Sequence, residues 1–448
     1  MIIKMRIKPS AIIVTLMLAL SAFPAAQAYD IHVASGFYNF SGPSQRSVYL
    51  TYASLQDNLD AYSGDVVIPA TITYNGKEIP VKGVGDHALF NCQRVTSVTL
   101  PEGVTYILDQ AFSHCYAMQS LSLPSTLEMV NDYAFEFCDD LTTVTIPAKV
   151  SEFGYAVFSN CLGLTEIKVE EGNSVLKDVD GVLYTADGST LVQYPAGLTA
   201  TAFSIPDEVS VVTDYAFSPA PHLHKVAMGA AVREINPLTF ADCTALTSVT
   251  VDAGNPFMSD IDGVLFDKDA TKIITYPACR ATAEYVLTET VTTVGDMAFA
   301  NASRLRDLTL PEGVASIGAY AFIGSAPATI TVKAHKPPLT DLAPFDTRVY
   351  TTATLYVHAD DIAAYQRNSV WGQFKSILSI EQAGLGSVGD NTSTVRIIGD
   401  TVIAADGIPV TAYLPDGRLA ASGIGCVTLP SPGMYIVTLG ATSIKVAL

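Results

Sequence analysis

Three sets of residues in this 448-residue chain have types and spacings that chemistry could use. Cys92, Cys115, Cys138 and Cys161 stand 23 residues apart, and paired thiols form disulfides in an oxidising compartment. Asp178-x-Asp180-Gly181 recurs as Asp260-x-Asp262-Gly263, a pattern that evokes a calcium loop. His222-x-His224 would set two imidazoles on one face of a strand, as metal ligation requires.

None of the three completes a site. A calcium loop of the EF-hand kind needs a third oxygen ligand and a distal Glu, and neither copy has that spacing. Asp and Gly also serve a turn for backbone reasons alone, which is the reading preferred. Leu223 takes the inward slot of its strand, so His222 and His224 face solvent without a third ligand. His114 has no defined partner. The slot filled by the four cysteines, and by Cys243, holds Ala220, Ala302 and Ser325 in other copies. Small size is what these residues share, so the thiols are read as buried fillers, not as a disulfide framework. Cys279 and Cys426 lie outside the series. No H-E-x-x-H, G-x-S-x-G or P-loop sequence occurs. Catalytic, cofactor-binding and metal residues are therefore assigned as none, and the ligand-binding residues are unknown from sequence.

The interval of 23 belongs to more than the cysteines. Three residues before each stands Leu89, Phe112, Phe135 or Phe158; three after stands Val95, Met118, Leu141 or Leu164. Val98, Leu121, Val144 and Ile167 follow, then Leu100, Leu123, Ile146 and Val169, with Pro101, Pro124 and Pro147 next. The frame returns at Phe217 and Phe240 and at Phe299 and Phe322. A-F-x-x-C-x-x-L-x-x-V-x-L-P predicts one short strand per unit, ended by a proline that cannot donate to a ladder. A unit of this length cannot bury its own apolar face, so the units must stack into a solenoid with a continuous core. The period is that of leucine-rich repeats. Two intervals, Phe158–Phe217 and Phe240–Phe299, are 36 residues longer than one unit, and they match each other: Asp178–Tyr184 aligns with Asp260–Phe266 and Tyr194-Pro195 with Tyr276-Pro277. Each is read as a duplicated hairpin insert, with one strand after D-G, a turn such as Asp187-Gly188, and a returning strand.

The flanks complete a mainly β chain. Lys4, Arg6 and Lys8, the apolar run Ala11–Ala22 and Ala26-Gln27-Ala28 make residues 1–28 a signal peptide. Residues 29–80 read as an N-terminal cap, with Asp65–Pro69 and Ile72–Lys77 suggesting a hairpin around Asn75-Gly76. The solenoid covers 81–335. A C-terminal cap covers 336–380, where Leu355-Tyr356-Val357 reads as the last strand and Tyr365, Trp371 and Phe374 as one side of a short helix. Residues 381–394 are a linker. Residues 395–448 form a small antiparallel β-sandwich, with Thr411–Leu414, a turn at Pro415–Arg418, and Gly433–Val437.

The repeat signature and the D-G-V-L-Y inserts resemble the BspA-like leucine-rich-repeat family of bacterial surface proteins, over about Asp65 to Ile380. The last module is similar to the C-terminal sorting tails of secreted proteins, through D-G-R and G-M-Y-I-V. The resemblance implies a secreted or cell-surface protein that adheres to host matrix proteins or to other bacteria, and it supplies no catalytic motif. Net charge is −19, and loss of Lys4, Arg6 and Lys8 takes it to −22, which disfavours nucleic acid and anionic lipid. The mature chain has no stretch apolar enough to span a bilayer. A protein ligand is the first expectation and no cofactor is expected. A glycan-binding accessory protein is the second reading, with Tyr106, Tyr116, Tyr133 and Tyr155 as the residues concerned. A β-solenoid hydrolase ranks last.

Overall fold

The V-x-L-P run of each repeat forms a short parallel strand, and its partner lies one unit away. The computed structural model describes residues 29–54, 58–383, 396–398, 401–403, 409–414, 418–424, 426–429, 434–439 and 442–447. Val95–Thr99 pairs with Ser120–Ser122 and aligns Val98 with Leu121, while Thr143–Ile146 pairs with Glu166–Val169 and aligns Val144 with Ile167. Ala202–Ser204, Lys225–Met228 and Ser248–Val251 continue the pattern beyond the first insert, and Glu284–Val286 pairs with Asp307–Leu310 beyond the second. Alternation turns Val98, Val144 and Ile167 inward. A second ladder of two-residue strands runs through Tyr106–Ile107, Met129–Val130 and Glu152–Phe153, again in parallel register. It is the Val and Ile after the proline that form it.

Between the ladders lies the phenylalanine column. Phe112 and Phe135 stack with centroids 5.1 Å apart, Phe135 and Phe158 at 5.4 Å, and Phe299 and Phe322 at 5.0 Å. These separations follow the inter-strand distance of about 4.8 Å, because each ring rides on its coil. The two gaps are not empty. Tyr194 packs on Phe217 at 5.3 Å and Tyr276 on Phe299 at 5.2 Å, both fully buried. Each stands 36 residues after the preceding Phe and 23 before the next, so an insert is one lengthened coil with Gln193-Tyr194 or Thr275-Tyr276 in place of Ala-Phe. The column also runs one rung past Phe322, to Phe345 at 4.9 Å.

Cys92, Cys115, Cys138, Cys161 and Cys243 are free and buried. Each thiol donates to a backbone carbonyl of the preceding coil: Cys115 to Leu89 at 3.2 Å, Cys138 to Phe112 at 3.3 Å, Cys161 to Phe135 at 3.0 Å and Cys243 to Phe217 at 2.9 Å. Ser325 donates to Phe299 in the same way. Where the slot holds Cys or Ser it therefore adds a hydrogen bond between coils, while Ala220 and Ala302 fill it by size alone. Burial pushes the thiols of Cys92 and Cys243 up to about 12, which keeps them protonated.

The structure revises several readings of the connecting segments. Each insert has three antiparallel strands instead of two: Leu176–Val179, Val182–Thr185 and Thr190–Gln193 in the first, and Met258–Ile261, Val264–Asp267 and Lys272–Thr275 in the second. A strand precedes D-G, because Asp180 and Gly181 (φ 51° and 79°) and Asp262 and Gly263 (φ 52° and 77°) are themselves the first turn. The third strand pairs in parallel with Val211–Val212, and so supplies the rung of the second ladder that the lengthened coil would otherwise lack. Asn173 and Asn255, also duplicated, tie each insert down. Asn255 Nδ2 donates to Gly229 and Val232 carbonyls, and its Oδ1 accepts from Phe257 and Met258 N–H. Asn173 repeats this on Pro147, Val150, Val175 and Leu176.

At the N-terminus, Thr71–Tyr74 and Lys77–Val84 form the hairpin around Asn75-Gly76. Gly64–Val67 does not join it. That strand pairs in parallel with Val95–Thr99, since Val66-x-Ile68-Pro69 repeats the V-x-L-P pattern one coil earlier. Ile31–Val33, Gly36–Phe40 and Val48–Thr51 are antiparallel, and the last pairs with Lys77–Val84.

The chain divides into two compact units, the second made of residues 329–337 and 351–448. There Thr329–Val332, Thr354–Val357 and Ser376–Ser379 are parallel, so Leu355-Tyr356-Val357 is not the last strand. Only Ile362–Arg367 is α-helical in the stretch after it. Asn368 Oδ1 accepts from Val370 and Trp371 N–H, which ends the helix and begins a separate 3-10 turn at Trp371–Gln373. Tyr365 and Trp371 are buried together, 5.7 Å apart. Farther on, a three-stranded and a four-stranded antiparallel sheet are described: Arg396–Ile398, Thr401–Ile403 and Cys426–Thr428, and then Leu419–Ile424, Pro409–Tyr413, Met434–Leu439 and Thr442–Ala447. The signal peptide, most of the linker and the Pro415-Asp416-Gly417 turn lie outside the described residues.

Two comparisons test this packing. The Tyr276 hydroxyl bonds to Thr282 Oγ1 at 3.0 Å, whereas the buried Tyr194 hydroxyl has no partner, because Ala200 stands where the second insert has Thr282. Ala200→Thr should stabilise the protein by about 1 kcal/mol and Thr282→Ala should cost about as much, read as thermal-unfolding shifts of opposite sign. Cys138→Ser should hold stability within about 1 kcal/mol of the parent because it keeps the donor, while Cys138→Val, which removes it and adds bulk, should lose about 2 kcal/mol or more.

Candidate functional site

Each coil has a third inter-coil contact, beside the phenylalanine column, and it determines which side chains reach solvent. Gln110, Tyr133, His114 and Phe137 adopt positive φ (54°, 56°, 64° and 57°), a conformation that few non-glycine residues take. Their N–H groups explain it. Gln110 donates to Asp132 O at 3.0 Å, Tyr133 to Tyr155 O at 2.9 Å, His114 to Glu136 O at 2.8 Å and Phe137 to Ser159 O at 3.0 Å. Phe112 and Phe135, between them, donate to Ala134 and Val157. Three successive bonds at two-residue spacing thus hold a ridge, with the phenylalanine inward and its neighbours outward. His87, Asn91, Asn160, Tyr215, Asp242, Met297, Asn301 and Tyr320 occupy the same left-handed positions in other coils.

On the ridge the aromatic residues converge. His87, Phe90, His114 and Phe137 form a chain with centroid separations of 5.2, 5.2 and 4.6 Å, and Tyr116 meets His114 at 5.6 Å. Beside them Tyr133 meets Tyr155 at 5.5 Å, Tyr155 meets Tyr215 at 5.6 Å and Tyr133 meets Tyr215 at 6.5 Å, all edge to face. These tyrosines are half-buried. A surface depression bordered by Phe153, Tyr155, Val192, Gln193 and Thr213 adjoins them.

Of the four tyrosines singled out by sequence, the structure unites Tyr133 and Tyr155 and places Tyr116 in the adjoining chain of rings. Tyr106 is elsewhere: its ring covers Gly83, where a Cβ would come within 2.0 Å of it. Tyr215 was missed. It meets Tyr155 across the whole first insert, a relation that no fixed period predicts.

Two carboxyls complete the cluster. Burial raises Glu136 to about 7, opposed by a hydrogen bond from Ser113 at 3.4 Å. Burial also raises Asp214, opposed by the Tyr155 hydroxyl and reinforced by Glu234. Burial is again the main reason that Tyr215 is pushed up to about 12 and that Tyr133 and Tyr155 are raised, with Asp214 adding to all three. Burial lowers the pKa of His114, which favours its neutral form.

The remaining candidate residues serve the fold. Asp178 Oδ1 accepts the Val169 N–H, and Asp260 Oδ1 the Val251 N–H, both at 2.8 Å, so the first Asp of each D-x-D-G closes a strand edge. Leu223 is buried and His222 and His224 are exposed. Cys279 is half-buried. Among the described residues no group of three or more His, Cys, Asp or Glu could hold a metal ion, and no helix is long and apolar enough to cross a membrane.

The chain belongs to the BspA type leucine-rich repeat family, whose model matches six copies across residues 71–179, 196–279 and 275–337, more than half of the sequence. Among solved structures it is similar to a leucine-rich cell surface protein from Faecalibacterium prausnitzii, at 22% identity over 67% of this chain and 93% of that one, with a TM-score of 0.40. It is also similar to the pneumococcal vaccine antigen PcpA (17%, 78% and 98%, TM-score 0.42) and to a leucine-rich repeat protein from Eubacterium ventriosum (18%, 64% and 87%, TM-score 0.43). The family assignment rests on the repeat match and not on these superpositions. No curated protein matches the sequence.

Glu136 gives a pH-dependent prediction. Its folded pKa of about 7 exceeds the ordinary 4.5, so the unfolded chain releases this proton first and stability falls as pH rises from about 4.5 to 7. Glu136→Gln should leave stability near the parent's at pH 4.5 and exceed it by roughly 1–3 kcal/mol at pH 8, measured by denaturant unfolding. An unchanged difference between the two pH values would show that the carboxyl is not desolvated.

Proposed function

We propose that the chain is a non-catalytic, exported surface protein that binds other proteins, with host matrix proteins or the surface proteins of other bacteria as the best-fitting class. The ridge is the observation that carries this reading. Its backbone groups are already paired between coils, and the side chains it leaves partly exposed differ from coil to coil, as His87, Gln110, Tyr133 and Met297 do. A fixed frame with varied residues is how repeat proteins present extended binding surfaces. Export is supported by the basic, apolar and Ala-Gln-Ala segments of residues 1–28. The module from 395 to 448 fits a sorting tail on its sequence.

Glycan binding is the second reading, and the meeting of Tyr133, Tyr155 and Tyr215 favours it, because sugar faces pack on exposed aromatic rings. The hydrolase reading has less behind it: Asp178 and Asp260, the duplicated acids, are committed to backbone N–H groups.

The test uses residues 29–448 against immobilised extracellular matrix proteins and a polysaccharide panel. Saturable binding to a protein, weakened in about 0.5 M salt as exposed charge interactions are screened, is the expected result. Binding confined to polysaccharides would move the assignment to the glycan reading, and hydrolysis of any of them would overturn the non-catalytic one.

A further inference from the structure

Among the described residues, the charged groups that act on the tyrosine cluster are all acidic. The charged groups acting on Tyr133, Tyr155 and Tyr215 are Asp132, Glu136, Asp214 and Asp242, all carboxylates. Those acting on Asp214 and Asp139 are likewise carboxylates, Glu234 and Asp140. Asp214 Oδ1 is buried without a hydrogen-bond donor. A buried acceptor left unmade is costly, and native structures seldom leave one without a reason.

The rings add to the same field. The face of a tyrosine ring is negative and attracts an ammonium or guanidinium group within about 6 Å. Three half-exposed rings with carboxyls close by therefore suit one ligand chemistry above others: a cation on an apolar stem. A neutral sugar could use the rings and accept or donate hydrogen bonds, but would leave the negative charge uncompensated.

Building on the protein-binding reading, we infer that Tyr133, Tyr155 and Tyr215, with Glu136 and Asp214, receive a lysine or arginine side chain of the protein partner. Cation and rings would supply attraction, and the ammonium or guanidinium N–H groups would supply the donor that Asp214 Oδ1 lacks. Electrostatic complementarity of this kind also steers a basic partner toward an acidic chain.

The test titrates ring-labelled tyrosines of residues 29–448 by NMR with the peptide (Gly-Lys)3, with the same peptide acetylated on its lysines, and with maltohexaose. The expected result is saturable shifts of Tyr133, Tyr155 and Tyr215 with the unmodified peptide and none with the acetylated one. Glu136→Gln and Tyr155→Ala should weaken binding about three- to tenfold, Tyr155→Phe should retain most of it, and the distant exposed Glu312→Gln should leave it unchanged. Tyr155→Phe and Glu136→Gln keep the test decisive if Tyr155→Ala fails to fold. Equal shifts with the acetylated peptide or with maltohexaose, equal weakening by Glu312→Gln, or no shift at these tyrosines would each overturn the inference. If the peptide fails while matrix proteins are still captured, only this site falls. If the peptide binds but no protein is captured, the broader reading falls.

Discussion

The hydrogen bond between one coil and the next is the constraint on which the rest depends. Within each ladder a coil offers its backbone groups to its neighbours in parallel, so paired coils are held at about the inter-strand distance. That spacing fixes what can lie inside. Phenylalanine rings, one per coil, are brought nearly parallel at close to 5 Å, an arrangement that isolated rings do not prefer over an offset or edge contact. The backbone imposes it, and the column repeats because the bonds do.

The same constraint accounts for the cysteines and asparagines. Turning the chain inside a narrow coil leaves carbonyls that no ladder satisfies, and a buried carbonyl must find a donor. A thiol or a serine hydroxyl fits beneath the preceding ring and supplies one. Where an insert departs from the coil, Asn255 supplies four bonds at once, two given and two accepted. These residues look like candidates for chemistry in a linear sequence, yet their polar atoms are spent on the backbone. The surface is what remains free. On the ridge most left-handed residues leave their side chains partly exposed, and it is there that tyrosines and carboxyls gather.

Much of the fold could be read in advance because a repeat makes every coil a copy of the same local problem. Period, inward valines and leucines, proline after the strand and duplicated inserts are all local patterns, so one good alignment interprets them together. Features that break the local rule were harder. The strand before Asp180-Gly181 has mixed polarity, and Leu176 alone does not distinguish it from a loop. Gly64–Val67 looked like part of a hairpin because it precedes the frame by 32 residues rather than 23. Tyr194 and Tyr276 align with each other, but their Pro neighbours hide the fact that each replaces a phenylalanine of the column. For the binding cluster, the left-handed positions are faintly marked by Asn, Asp, His and Gln around each phenylalanine, but tyrosine at such a position carries no signal of its own.

The sequence by itself determined the solenoid, its period, the family resemblance and the absence of a recognised catalytic motif, because these follow from residue types at fixed intervals along one chain. Only the tertiary structure decided that Cys and Ser in the small slot donate to the preceding coil, that Tyr194 and Tyr276 each head a new run of the ring column, and that Tyr215 meets Tyr133 and Tyr155 close to Glu136 and Asp214. Those relations join residues separated by 22 to 82 positions, across loops of unequal length. The distance between such residues is set by how the coils stack, and no pattern along the chain records it.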